Sequence, residues 1–181
     1  MFELLGCDIT VEPQHMSAIV RTESSANPFA IGIVGHHLNR QATTLNQASQ
    51  LAQYLSSHGY NYSIGISQVN QINFPKQNLN NKSGFNVCKN LLAGSNILKS
   101  CYKRYGTWKK AYSCYYSGNP VTGFSHGYVE KVVTNYKKPI LEKASYSPKD
   151  INEFRIIPRY KKSLKLTRKQ SQYLPDLAKG Q

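Results

Sequence analysis

Acidic residues are scarce in this 181-residue chain, with nine Asp and Glu against 23 Lys and Arg and a net charge of +14. Between Glu23 and Glu130 there is no acid at all. A two-carboxylate glycosidase site would therefore have to pair Glu23 with Glu3, Asp8, Glu12, Glu130 or an acid near the C-terminus. Metal-ligating patterns are also missing. Cys7, Cys88, Cys101 and Cys114 include no Cys-x-x-Cys, and His15, His36, His37, His58 and His126 show no ligand-like spacing. These histidines read as surface or loop residues, with substrate contact by His36 or His37 a weaker reading. No run is long or apolar enough to form a transmembrane helix.

The N-terminus lacks a basic region followed by an apolar stretch, so no whole signal peptide is recognisable. Leu4-Leu5-Gly6-Cys7 resembles the end of a lipoprotein signal, but a lipid on Cys7 would leave three cysteines, an odd number for an oxidising compartment. The even count fits two disulfides instead. A Cys88–Cys101 pair is disfavoured if one helix carries both, because thirteen residues at 1.5 Å separate them by roughly 20 Å. A Cys101–Cys114 bridge would close a hairpin between consecutive helices and leave Cys7 to bind Cys88.

What is present begins with Pro13 to Pro28. At helical spacing, Met16, Ile19, Val20 and Glu23 share one face, which sets a carboxyl on an otherwise apolar stripe. Pro13 suits a first turn and the Asn27-Pro28 step ends the helix, so Glu23 falls near its C-terminal end. The helix dipole and partial burial would both raise its pKa there, as a general acid requires. Taken alone, the position suits a solvated last-turn glutamate at least as well.

Phe29 to Gly35 is too glycine-rich for a helix and reads as extended or looped. An amphipathic helix is expected over 44–58, with Leu45, Ala48, Leu51, Ala52 and Leu55 on one stripe and Gly59 as its stop. Tyr60 to Asn70 reads as a short strand or tight loop, and Gln71 to Phe85 as a surface loop. Asn86 can cap a helix to about Tyr105, burying Cys88, Leu91, Leu92, Ser95, Leu98, Cys101 and Tyr102. Gly106 ends it, a helix from Thr107 to Gly118 follows, and another from about Ser125 turns Tyr128, Val129, Val132, Val133 and Tyr136 inward. The domain is thus mainly α over residues 1–136. Residues 137–181 hold twelve Lys and Arg against four acids, with recurring prolines, and read as a flexible or partly helical basic tail. Its charge attracts acidic polymers, but no base-reading motif points to specific nucleic-acid binding.

A lone carboxyl can still cleave a glycosidic bond if the substrate supplies its own nucleophile. The order Glu23-Ser24, Gly65-Ile66-Ser67-Gln68-Val69-Asn70, Cys114-Tyr115-Tyr116-Ser117-Gly118-Asn119 and Tyr128-Val129 resembles the soluble lytic transglycosylases, with their lysozyme-like, goose-type fold. The four cysteines and Asn27 to Gly32 are similar to the branch serving bacterial type IV secretion systems. The resemblance runs from about residue 7 to 136.

It implies a periplasmic enzyme, without cofactor or metal, that acts on peptidoglycan glycan strands beside other secretion components. Glu23 would protonate the β-1,4 oxygen between N-acetylmuramic acid and N-acetylglucosamine, then help the muramoyl 6-hydroxyl attack C1 to leave a 1,6-anhydro end. Tyr115 would hold the acid, and Ser24 would support the turn or a substrate hydrogen bond. Gln68 and Asn70 would bond sugar and N-acetyl groups, Gly118 would bring backbone close to the cleft, and Tyr128 would face a sugar. Two residues depart from the family pattern: Ser67 replaces a cleft-lining methionine and Tyr116 an asparagine. A hydrolase of the same bond and a non-catalytic wall-binding factor are the competing readings.

Overall fold

The chain folds as two lobes, each around its own apolar cluster. The structure, a computed structural model, describes residues 2–144, 154–159 and 172–173. Strands β1 (Phe2–Leu4) and β2 (Cys7–Ile9) form an antiparallel hairpin that opens the first lobe. Helix α1 (Pro13–Glu23) starts at its proline and ends at Glu23, with Met16, Ala18, Ile19 and Val20 fully enclosed. The second lobe then begins with β3 (Ile31–Ile33), β4 (His36–Leu38), α2 (Leu45–Ser57), β5 (Tyr62–Ile64) and β6 (Val69–Asn70).

A short helix α3 (Phe74–Gln77) leads to α4 (Val87–Tyr105), the longest element. Helices α5 (Trp108–Ser117), α6 (Thr122–Ser125) and α7 (Tyr128–Tyr136) complete the α lobe. There α7 packs on α1 and α5 on α4. The expected last helix is split, because Gly127 at φ +68° interrupts it before Tyr128.

Caps fix α4 where the sequence places it. The Asn86 side chain accepts from Lys89 N–H at 3.0 Å, and Gly106 closes the other end in the left-handed region. Its buried face differs from the expected stripe, since Leu92 and Tyr102 are exposed while Asn90, Ala93 and Gly94 are enclosed. The reason is that α4 packs on both lobes, so small and amide side chains face the Gly65 to Asn70 loop. Disulfides join Cys7 to Cys88 and Cys101 to Cys114, the pairing that helix geometry favours. The first ties the N-terminal hairpin to α4, and the second ties α4 to α5.

The larger sheet runs β6-β5-β3-β4-β7-β8 with every pairing antiparallel. Its outer strands β7 (Arg155–Pro158) and β8 (Gln172–Tyr173) come from the segment expected to be a flexible tail. At β7 that expectation does not hold: Phe154 and Ile156 are 4% and 1% exposed in the second apolar cluster. A Phe-x-Ile alternation is enough to bury one face of a short strand, though it is hard to see among lysines. The remaining tail positions, 145–153, 160–171 and 174–181, lie outside the described residues.

His15 also departs from expectation. It is buried rather than exposed, stacks on Trp108 at 3.6 Å, and shares a 2.6 Å hydrogen bond with Tyr112. Burial lowers its pKa to about 4, so it is a neutral core residue between α1 and α5.

Candidate active site

A cleft of about 840 Å³ lies between the larger sheet and the ends of α3, α4 and α5. Glu23 enters it from the last residue of α1, and among the described lining residues it is the sole carboxylate. The sequence arrangement explains its setting: the apolar face that buries Ile19 and Val20 carries Glu23 one turn further into the protein, just where α1 stops. Desolvation then raises the carboxyl to about 7. A single hydrogen bond opposes this, from the Tyr128 hydroxyl to Glu23 Oε1 at 2.5 Å.

That bond changes two expected roles. Tyr128, not Tyr115, holds the acid, and at 6% exposure it has little face to offer a sugar. Tyr128 begins α7, which packs along α1, so its ring comes in beside the α1 terminus. Tyr115 donates instead to the Ser67 carbonyl at 2.6 Å, while its ring lines the cleft. Burial and the nearby Glu23 charge raise both tyrosines above their ordinary pKa, so both stay neutral donors. The aromatic face open to the cleft belongs to Tyr116, which is 45% exposed and stacks on Tyr128 at 4.6 Å.

The Gly65 to Asn70 loop is braced from within. Gly65 has φ +80°, and a Cβ there would meet Asn90 Nδ2 at 2.4 Å and the Gly84 carbonyl at 2.5 Å. Asn90 is fully buried. Its Oδ1 accepts from Ser67 N–H at 2.8 Å, and its Nδ2 donates to the Ile64 and Gly84 carbonyls at 2.9 and 2.8 Å. Ser67 is also fully buried, with its hydroxyl on Asn90, so it supports the loop from beneath and does not line the cleft as the family methionine would. The Ser24 hydroxyl donates to the Ile66 carbonyl at 2.6 Å, tying the end of α1 to this loop.

Gln68 and Asn70 line the cleft, but their amide nitrogens are already engaged. Gln68 Nε2 donates to the Ala30 and Gly65 carbonyls, both at 2.9 Å, with its backbone held at φ +51°. Asn70 Nδ2 donates to Asn61 Oδ1 at 2.7 Å, and its own Oδ1 caps Ile72 N–H at 3.1 Å. What Gln68 presents to a ligand is an acceptor oxygen. Gly118 lines the cleft for a different reason from the expected one: a Cβ there would touch nothing within 4 Å, and φ +77° at the end of α5 is what calls for glycine. His36 and His37 sit on β4, outside the described lining. Among the described residues no group of His, Cys, Asp and Glu is placed to hold a metal.

Sequence reading missed Asn90, an amide inside a helix with no local signal of its partners, and Lys76, Arg104 and Arg159, which line the cleft as cations. Tyr116 was visible only as a departure from a motif. The site thus combines a carboxyl able to hold a proton near neutral pH, a fixed hydroxyl on that carboxyl, and a rigid loop opposite. That set can donate a proton to a leaving oxygen and take one back.

Comparison with known proteins gives three relevant likenesses. Residues 2–135 match the family model described as Transglycosylase SLT domain. The chain is 46% identical over 143 residues to the Type IV secretion system protein virB1 of Brucella abortus (strain 2308), covering 71% of this chain and 60% of that protein. It is 31% identical over 137 residues to Protein virB1 of Agrobacterium tumefaciens, covering 71% and 56%. The chain therefore spans about 60% of the length of the curated relatives it matches. No solved structure gives a significant match.

Proposed function

Because the chain belongs to the transglycosylase SLT domain family, we propose that it is a peptidoglycan lytic transglycosylase. It cleaves the β-1,4 bond between N-acetylmuramic acid and N-acetylglucosamine and leaves a 1,6-anhydro end. One observation carries this reading: Glu23 faces a cleft with no other described carboxylate, and its pKa of about 7 lets one group serve as acid and then as base. Among the described residues lining the cleft, a hydrolase with two carboxylates would find no second group.

In the first step Glu23 donates its proton to the glycosidic oxygen as the C1–O4 bond breaks. The positive charge developing at C1 is stabilised by the substrate's own N-acetyl group. The carboxylate, steadied by the Tyr128 hydroxyl, then accepts the proton of the muramoyl 6-hydroxyl as O6 bonds to C1. Glu23 ends protonated as it began, and no water is consumed. Tyr116 offers the exposed ring on which a sugar can stack, and Gln68 offers its acceptor oxygen.

Its likeness to type IV secretion proteins supports a role in opening the wall locally for such an apparatus, in the periplasm and beside other secretion components. Mass spectrometry of digested peptidoglycan tests the chemistry. Products ending in 1,6-anhydromuramic acid are expected, absent with Glu23→Gln; reducing ends would make the enzyme a hydrolase.

A further inference from the structure

The strand that follows the family-matched region does more than extend the sheet. Its ladder pairs Ile156 with Leu38, Ile157 with His37 and Pro158 with His36. Phe154 is buried beneath the Arg40 guanidinium, which lies 3.7 Å from its ring centroid. Asn39 clasps Arg155 from both sides, its N–H donating to the Arg155 carbonyl at 3.1 Å and its Oδ1 accepting from Arg155 N–H at 2.7 Å. The last link is Arg159 N–H on the Gly35 carbonyl at 2.8 Å. Gly35 and Val34 form the β3–β4 turn that lines the cleft, so this bond anchors the Arg159 backbone at the cleft rim, and its side chain joins the lining.

Lys76, from α3, and Arg104, from the last turn of α4, are the other cations lining the cleft. All three are exposed. Among the described residues the cleft holds one carboxylate, Glu23, and that group is bonded to Tyr128. Apart from Glu23, the cations thus face the cleft with no described lining acid to neutralise them. A cleft built only to hold neutral sugar rings needs aromatic faces and amides, not three cations from three separate elements.

We propose that Arg159, carried to the cleft by β7 and acting with Lys76 and Arg104, forms a binding subsite for the carboxylates that project from the glycan substrate. This rests on the glycan-cleaving reading above. Two sources carry such groups: the acidic peptide where one is amide-linked to the muramoyl lactyl carboxyl, and the lactyl carboxylate itself, which is free only on units without a peptide. Guanidinium suits either through paired N–H donors. Arg159 is here a specificity residue for binding, remote in role from the proton transfer at Glu23.

The test is binding, so that it does not depend on turnover. Glu23→Gln in the full chain is titrated with fluorescently labelled peptide-bearing glycan strands, with the same strands stripped of peptide by an amidase, and with neutral N-acetylglucosamine oligomers. Adding Arg159→Gln should weaken peptide-bearing strands about threefold, the scale of one exposed ion pair, and leave the neutral oligomers unchanged. Arg159→Lys, which keeps the charge but not the paired donors, should recover only part of the affinity. The amidase turns each lactyl amide into a free carboxylate, so an equal loss on stripped strands would show that the subsite takes either carboxylate, and a loss on peptide-bearing strands alone would assign it to the peptide. No loss on either, or an equal loss on the neutral oligomers, would overturn the proposal. Absence of anhydro products from the unaltered chain would instead count against the catalytic reading, whatever the binding shows.

Discussion

At Glu23, burial and the Tyr128 hydroxyl act on the same carboxyl in opposite directions, and burial wins. Activity needs the protonated form first, so product formation should be level on the acidic side and fall as pH rises through about 7. In Tyr128→Phe the carboxylate loses its only described side-chain donor, so the pKa should rise further. The falling limb should then move to higher pH by about one unit, with a lower plateau, because a hydrogen bond to a charged group contributes roughly 1.5 kcal/mol. A pH profile of anhydro-product release checks both; a limb moving to lower pH would contradict the assignment. Linkage gives a second readout. The folded pKa lies above the unfolded one, so the stability tied to the protonated carboxyl is complete below the ordinary carboxylate range and lost as pH rises through about 7. Glu23→Gln never ionises, so it should gain on the native chain across that window, by at most about 3 kcal/mol, as chemical denaturation at pH 4 and pH 8 would show.

Among the elements, the Gly65 to Asn70 loop depends on one buried amide. Asn90→Leu would strand Ser67 N–H and the Ile64 and Gly84 carbonyls, and should cost about 3 kcal/mol or more by denaturant titration. The disulfides offer a comparison between links of different span. Cys7–Cys88 closes a loop of 81 residues and Cys101–Cys114 one of 13. Loop entropy alone gives about 4.5 and about 3 kcal/mol, so replacing the first pair by serines should lower the melting temperature more than replacing the second. Elements with their own punctuation were legible in the sequence: Pro13 starts α1, Asn86 and Gly106 bound α4, and Gly118 ends α5. The sheet was less so, because strands of two to four residues carry too little alternation to separate from loops. Motif order placed Glu23 and both tyrosines near one another but could not say which hydroxyl reaches the acid. That depends on how α7 lies along α1, a packing matter that no local pattern records.

On the scale of the whole molecule, charge and chemistry are separated. The proposed reaction centre is one partly buried carboxyl and one buried phenol, whereas the excess of cations lies elsewhere in the sequence, with twelve of 23 Lys and Arg after residue 136. Strand β7 links these two parts, since it belongs to the basic segment by sequence and is followed directly by Arg159, which lines the cleft. Salt should therefore act on association and spare catalysis. Screening shortens the reach of exposed charge from about 10 Å at 0.1 M to about 3 Å at 1 M, but scarcely touches a hydrogen bond inside the protein. Cosedimentation with peptidoglycan sacculi should weaken on the order of tenfold over that range, while turnover at saturating substrate changes less than twofold. If instead kcat fell steeply with salt at constant KM, exposed charge would have to act on the transition state itself. The division of labour between a basic surface and a single enclosed carboxyl would then be wrong.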